Sequence, residues 1–273
     1  MKVAMLRIGI DSGSGGIQGP LFQDGTFEYI PIPDGFGKDE RTYGNSTGRH
    51  GKRLVEYFPE TRRAKITRQA IHFDPEFTTF TYGDPTPPKA GLRHLEQGDM
   101  LIFYCGLEGW DFMSRPALYL MGYFDVLTAG KAGEYSENEI ETLFGENYHV
   151  KHRDIYERQK RDLILVKGSS TSRLLNKAVC ISEIGHDRLG RPLKVLSVEM
   201  QKIFGDFDGR ISFQRSPTRW VSSSHVSQAV KFMTSLEQLT SFPGRQRLRR
   251  CRRVELLGGV KSILFMKAFL EAL

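Results

Sequence analysis

Three short segments of this 273-residue sequence hold residue types suited to chemistry. The first is Arg7-Ile8-Gly9-Ile10-Asp11-Ser12-Gly13-Ser14-Gly15-Gly16, an apolar strand running into four glycines within eight residues. Such a turn can close its backbone N–H groups on an anion. Arg7 offers a planar fork to a phosphate or carboxylate. Asp11 is a candidate general base or metal ligand, Ser12 a hydrogen-bond donor, and Gly15 and Gly16 the close-approach part of the cradle. The competing reading is a plain tight turn in which Asp11 and Ser12 bond their own backbone. The segment lacks the Lys-Ser/Thr ending of a phosphate-binding P-loop, which excludes that class.

The second segment is His72-Phe73-Asp74-Pro75. On a strand, His72 and Asp74 share a face, where an imidazole and a carboxylate could pass protons or share a metal ion. Two ligands do not make a metal site, so no metal is assigned, and a structural hydrogen-bonded pair is the alternative. The third is Lys167 to Arg173, read as a strand-to-helix junction. Lys167, Ser170, Ser172 and Arg173 would bind an anion at the helix N-terminus; an ordinary N-cap is the alternative. A further cluster, Arg245, Arg247, Arg249, Arg250, Arg252 and Arg253, suits nucleic-acid contact or a solvated charged face. His149 and His152, set among Lys151 and Arg153, read as a polar face rather than a metal site.

The elements that must position these groups follow from periodicity and turn chemistry. Val3–Leu6 reads as a buried strand, Asp24-Gly25 as a hairpin turn and Phe27–Ile30 as the returning strand. Residues 35–65 read as a long polar surface excursion. Met100–Cys105 and Ala117–Leu127 are apolar strands joined by the loop 106–116, an antiparallel hairpin central to a sheet. Ser136 with Glu139 makes a capping box for a helix over 137–145. Leu163–Val166 is a strand, and the apolar run through Leu174, Leu175 and Ala178 a helix. Helices are also expected near 224–237 and over Val260–Ala272. The fold class is therefore α/β in the α+β sense: a mixed, largely antiparallel sheet with a central hairpin and flanking helices. The Gly98-Asp99 turn with its flanking strands suggests a small β-barrel-like element. One domain is expected over 1–273, with 181–273 a helical C-terminal part.

Composition narrows the function classes. Hydrophobic residues at 39% and charged residues at 26% describe an ordinary globular chain. The apolar stretches fall short of the ~20 residues of a membrane helix, so no membrane partner is expected. Lys2 and Arg7 near the start argue against a secretory leader. Three cysteines without a CxxC pair argue against disulfides or a thiolate zinc site and suggest a reducing, cytoplasmic setting. A net charge of +7 suits a nucleotide or nucleic-acid partner, DNA or RNA. Neither a cofactor nor a protein partner is identified.

The order of these segments resembles the nucleotide-modification-associated domain family, type three. Its opening of the form Arg-Lys-Gly-Phe-Asp-Ser, then Gly-Gly, then Pro-Ile-x-Pro-Asp-Gly, then a closing Pro-Ile-Pro-Asp, corresponds to Arg7–Ser12, Gly15-Gly16, Pro20–Gly25 and Pro31-Ile32-Pro33-Asp34. His72–Pro75, Leu95–Tyr104, Gly122-Tyr123-Phe124 and Lys167–Leu174 follow in order, so the likeness covers residues 1–180. It implies a role beside enzymes that build modified bases, often in phage or mobile elements. Ile8 stands where the family has lysine, and chemistry through that lysine would be altered or lost. The expectation is thus an enzyme or accessory factor acting on a nucleotide or base. In it Asp11, His72 and Asp74 move protons and Arg7 and the third segment hold the phosphate-bearing substrate. The alternative is a non-catalytic reader of modified DNA or RNA. The opening also resembles the first phosphate loop of the sugar-kinase and actin-like ATPase superfamily. Against that, no second Asp-x-Gly loop follows, and Pro31–Pro33 breaks the expected third strand.

Overall fold

The computed structural model describes residues 1–213 and 218–238. Its strands are β1 (Val3–Arg7), β2 (Gly19–Leu21), β3 (Ile32–Pro33), β4 (Ile71–His72), β5 (Thr81–Asp84), β6 (Met100–Gly109), β7 (Ala117–Lys131), β8 (Ile164–Gly168), β9 (Arg173–Cys180), β10 (Ser182–His186), β11 (Pro192–Leu196) and β12 (Arg219–Trp220). The α-helices are α1 (Glu60–Ile66), α2 (Glu137–Phe144), α3 (Tyr148–Lys151), α4 (Arg153–Gln159), α5 (Val198–Phe204) and α6 (Val226–Gln238).

An eight-stranded mixed sheet in the order β12-β1-β6-β7-β8-β5, with β2 on β6 and β9 on β7, forms the frame. The β6/β7 hairpin is central, as its two apolar runs require, and both strands are buried through most of their length. β1 lies parallel to β6, and Asp99 ties their starts together by accepting the Lys2 N–H at 2.6 Å. Ser136 and Glu139 make the expected capping box, and α2 follows it. A helix, α6, also stands where Ser224 predicted one. No closed barrel is present among the described residues.

Four expectations are corrected. The Asp24-Gly25 turn forms, with Gly25 at φ 88°, but Phe27–Ile30 returns through a single bridge, Leu21 to Phe27, and is not a strand. Beyond residue 180 the chain is not only helical, because β10 and β11 pair with each other and β12 joins the main sheet. The run Arg173–Cys180 is a strand and not a helix. β7 has fifteen residues and irregular register, so β8 pairs its second half and β9 its first. Lys167–Arg173 thus belongs to an interruption along one edge of β7.

Finally, residues 35–65 are not a surface excursion. Tyr43, Leu54, Val55, Tyr57, Phe58 and Ile66 pack with Ile10, Ile30 and Ile71 into a second core. Tyr43 lies at its centre, fully buried, with its hydroxyl donating to the Pro31 carbonyl at 2.7 Å. Removing that hydroxyl strands a buried carbonyl. Tyr43→Phe should therefore lower unfolding free energy by about 1–3 kcal/mol in urea titration. A loss below about 0.5 kcal/mol, the size expected at a surface position, would contradict this packing.

Candidate functional site

The glycine-rich segment folds on its own aspartate. Asp11 Oδ1 accepts the N–H groups of Gly13 and Ser14, both at 2.7 Å, and its Oδ2 pairs with Arg7 at 3.0 Å. Gly16 N–H closes the turn on the Asp11 carbonyl at 2.8 Å. Gly15 and Gly16 take φ of 92° and 76°, and a Cβ on Gly15 would stand 2.3 Å from Ile10. Ser12 and Gly16 lie at the exposed rim. The amides that could have met an external anion thus meet Asp11.

A second loop repeats the pattern. No helix follows Lys167–Arg173, so the dipole argument for an anion there lapses. Ser169 Oγ donates to Asp125 Oδ2 at 3.1 Å, and the buried Ser172 hydroxyl accepts the Asp125 N–H at 3.1 Å. Lys167 Nζ donates to the Thr79 carbonyl at 2.6 Å, and Arg173 to the carbonyls of Ser170 and Ser172. The six arginines from Arg245 to Arg253 lie outside the described residues.

His72 and Asp74 do come together, and a third residue joins them. Asp74 Oδ2 lies 3.8 Å from His72 Nε2 and 3.3 Å from His149 Nε2. One ligand atom from each of the three falls within 4.8 Å of the others. Asp74 and His149 are almost fully buried, while the His72 side chain keeps 15% of its surface exposed. The contact that His149 makes shows it is no part of a polar face.

Each group arrives by a different route. His72 sits on β4, whose partner β3 places Ile32 opposite it; the Asp34 N–H extends that ladder to the Ala70 carbonyl. Just past β4, Asp74 turns into the protein and accepts the Gly83 N–H from β5 at 2.9 Å. His149 rides on α3, whose N-cap Asn147 accepts the His149 N–H and is itself completely buried. A side chain on Gly83 would put its Cβ 2.8 Å from Asn147 Oδ1 and 3.0 Å from His149, so only glycine allows β5 and α3 this close.

Around the centre lies a positioning layer. Gln159 Oε1 stands 2.7 Å from His149 Nδ1 and takes that nitrogen's proton in a hydrogen bond, which turns Nε2 toward Asp74. The Tyr148 ring stacks on His72 at 3.8 Å between centroids, and its hydroxyl donates to Asp34. Asp34 also accepts the N–H groups of Phe36, Lys38 and Asp39. Beyond Tyr148, His152 lies 5.0 Å away ring to ring, and Arg41 grips Asp39 through two nitrogens. The sequence reading overlooked His149, Gln159, Gly83, Tyr148 and Asp34 as site residues. Asp34, closing the Pro-Ile-Pro-Asp segment, and Asn147, a capping residue set just before a histidine, were the usable signals.

Burial and charge fix the protonation states. Burial, helped by the neighbouring His149, pushes His72 down to about 3, so its imidazole is neutral. Burial lifts Asp74 to about 6 against the pull of His149 and the Gly83 amide. Although burial opposes charge on His149, its contact with Asp74 raises it. Asp74 and His149 are therefore coupled, each biasing the other's protonation. The His72 Nε2 atom is buried without a hydrogen-bond partner among the described residues, as is the Tyr29 hydroxyl, on which the Asp74 charge acts. A neutral imidazole, a carboxylate and a second imidazole facing one point can exchange a proton with a bound molecule or hold an ion.

A family model described as nucleotide modification associated domain 3 matches residues 2–238. No curated protein and no solved structure matches the chain significantly.

The Asp34 contacts give a pH test. Burial works against its charge, but the Tyr148 hydroxyl and three backbone N–H groups outweigh it and hold the carboxyl below its ordinary value. The native state then binds fewer protons than the unfolded chain, so this stability is present above about pH 4 and is lost as pH falls. Asp34→Asn should cost about 1–3 kcal/mol at pH 7, and the gap to the parent protein should narrow toward pH 3 in urea unfolding. A gap independent of pH would show that Asp34 carries no such linkage.

Proposed function

Because this chain belongs to the nucleotide modification associated domain 3 family, we propose that it modifies a nucleotide or a base within nucleic acid, with His72, Asp74 and His149 as its reacting centre. One observation carries the reading: three chemically active side chains from β4, the segment after it and α3 meet at one buried point. Groups that meet there act in a water-poor setting, where their fields on a substrate are stronger than in bulk water. His72 is the member with exposed surface, so the substrate approaches from its side. The net charge of +7 favours a substrate that carries phosphate. Asp11, held inside its own loop, orients Arg7 for anion contact rather than moving protons.

The second reading, a reader of modified DNA or RNA, draws on the same positive charge and on Arg245–Arg253. A reader would bind nucleic acid with an affinity that falls steeply with salt, as counterions are released, and would leave the nucleosides themselves unchanged.

Expression in a host, followed by digestion of its DNA and RNA and mass spectrometry of the nucleosides, separates the two. The parent protein should alter the nucleoside profile, and His72→Ala and His149→Gln, checked for folding by circular dichroism, should abolish the change. If the parent and both variants leave identical profiles, the centre is not catalytic in this sense.

A further inference from the structure

The same centre has the build of a metal site. An ion bound about 2.0–2.2 Å from each ligand atom holds those atoms about 2.8–3.6 Å apart in tetrahedral or octahedral geometry. Asp74 Oδ2 stands 3.3 Å from His149 Nε2, inside that range, and 3.8 Å from His72 Nε2, a few tenths of an ångström outside it, and the ligand atoms of all three residues lie within 4.8 Å of one another. The donors come from separate elements and face one another, whereas an ordinary surface cluster would splay into water. Among the described residues His72 Nε2 has no hydrogen-bond partner although it is buried, which is costly unless something else occupies it.

The surroundings also match. A ligating histidine is normally aimed by a hydrogen bond from its other ring nitrogen to an oxygen. His149 makes such a bond from Nδ1 to Gln159 Oε1 at 2.7 Å. Asp74 is held in turn by the Gly83 N–H, which contacts both carboxylate oxygens, at 2.9 and 3.1 Å. Asn147 caps α3 directly behind His149 and ties it to Thr81 on β5. Two imidazoles with one carboxylate suit zinc or iron(II), whereas magnesium and calcium prefer sites built of oxygen ligands alone.

We propose that His72, Asp74 and His149 bind one divalent transition-metal ion through His72 Nε2, His149 Nε2 and the Asp74 carboxylate. Three protein ligands leave further coordination positions for water or a substrate oxygen, as in catalytic rather than closed structural sites. The inference rests on placing the reacting centre at these residues, and it adds the cofactor class that the centre takes.

The full chain, stripped with chelator, should bind one equivalent of zinc or cobalt(II) by calorimetry, and zinc should raise its melting temperature. Cobalt(II) should give visible absorption bands of a low-symmetry nitrogen–oxygen site. His149→Gln should weaken zinc binding by at least about 100-fold, and Gln159→Leu, which leaves all ligands in place, by about 10–100-fold. His72→Gln, at the partly exposed ligand, gives a second test should His149→Gln fail to fold. A stripped, folded protein that binds no metal, or a His72→Gln protein that binds as tightly as the parent, overturns the proposal. Binding is read without substrate, so the two ideas fail separately. An altered nucleoside profile without metal binding removes only the metal; tight metal binding with an unaltered profile removes only the catalytic reading.

Discussion

A buried carboxylate at Asp74 is the constraint to which much of this structure answers. Placing a charge of that kind in a protein interior is costly unless donors or countercharges surround it. Here the answer comes from the Gly83 amide on one side and the His149 imidazole on the other, with the neutral His72 ring facing the same oxygen. Satisfying Asp74 therefore forces three separate stretches into register. β5 must present a residue with no side chain, α3 must begin with a capping asparagine, and β4 must pair with β3 so that His72 is held in place.

The other two loops that looked suited to anions solve the same problem in the opposite way. Asp11 fills the cradle made by Gly13 and Ser14, and the Asp125 carboxylate accepts the hydroxyls of Ser169 and Thr171. In both, a carboxylate of the chain takes the place a phosphate would occupy, and the donors are used locally. At Asp74 the donors do not close the site off. A buried imidazole nitrogen of His72 and the hydroxyl of Tyr29 are left without hydrogen-bond partners among the described residues. Three chemically active side chains meet there, and this convergence is the physical reason to propose the chemistry at that point.

Much of the frame was legible in the sequence, and the reasons for the exceptions are specific. The β6/β7 hairpin and α2 rest on long apolar runs and a capping box, signals that local sequence carries in full. The run Leu174, Leu175, Ala178 fits helical spacing equally well; its strand state depends on the length of β7, which offers a long edge that no local pattern announces. Residues 35–65 hide a core because Tyr43, Tyr57 and Phe58 are spaced without period and meet only after the chain folds back. At the centre, His72 and Asp74 were readable as close neighbours in sequence, although β4 ends at His72 and the segment after it, rather than a shared strand face, brings Asp74 in. His149 was not, since it lies 75 positions beyond Asp74, among lysine and arginine that point elsewhere. Sequence spacing locates partners within an element, while partners brought in by tertiary packing leave only indirect marks such as Gly83 and Asn147.

The convergence of His72 and His149 on the Asp74 carboxylate is open to direct observation by imidazole nitrogen NMR. In long-range nitrogen–proton spectra of the labelled full chain, one equivalent of zinc should shift the Nε2 resonances of His72 and His149 together. Those of His50, His94, His152, His186 and His225 should stay in place. Independent movement of the two, or a response confined to the other histidines, would contradict the shared centre on which this account stands.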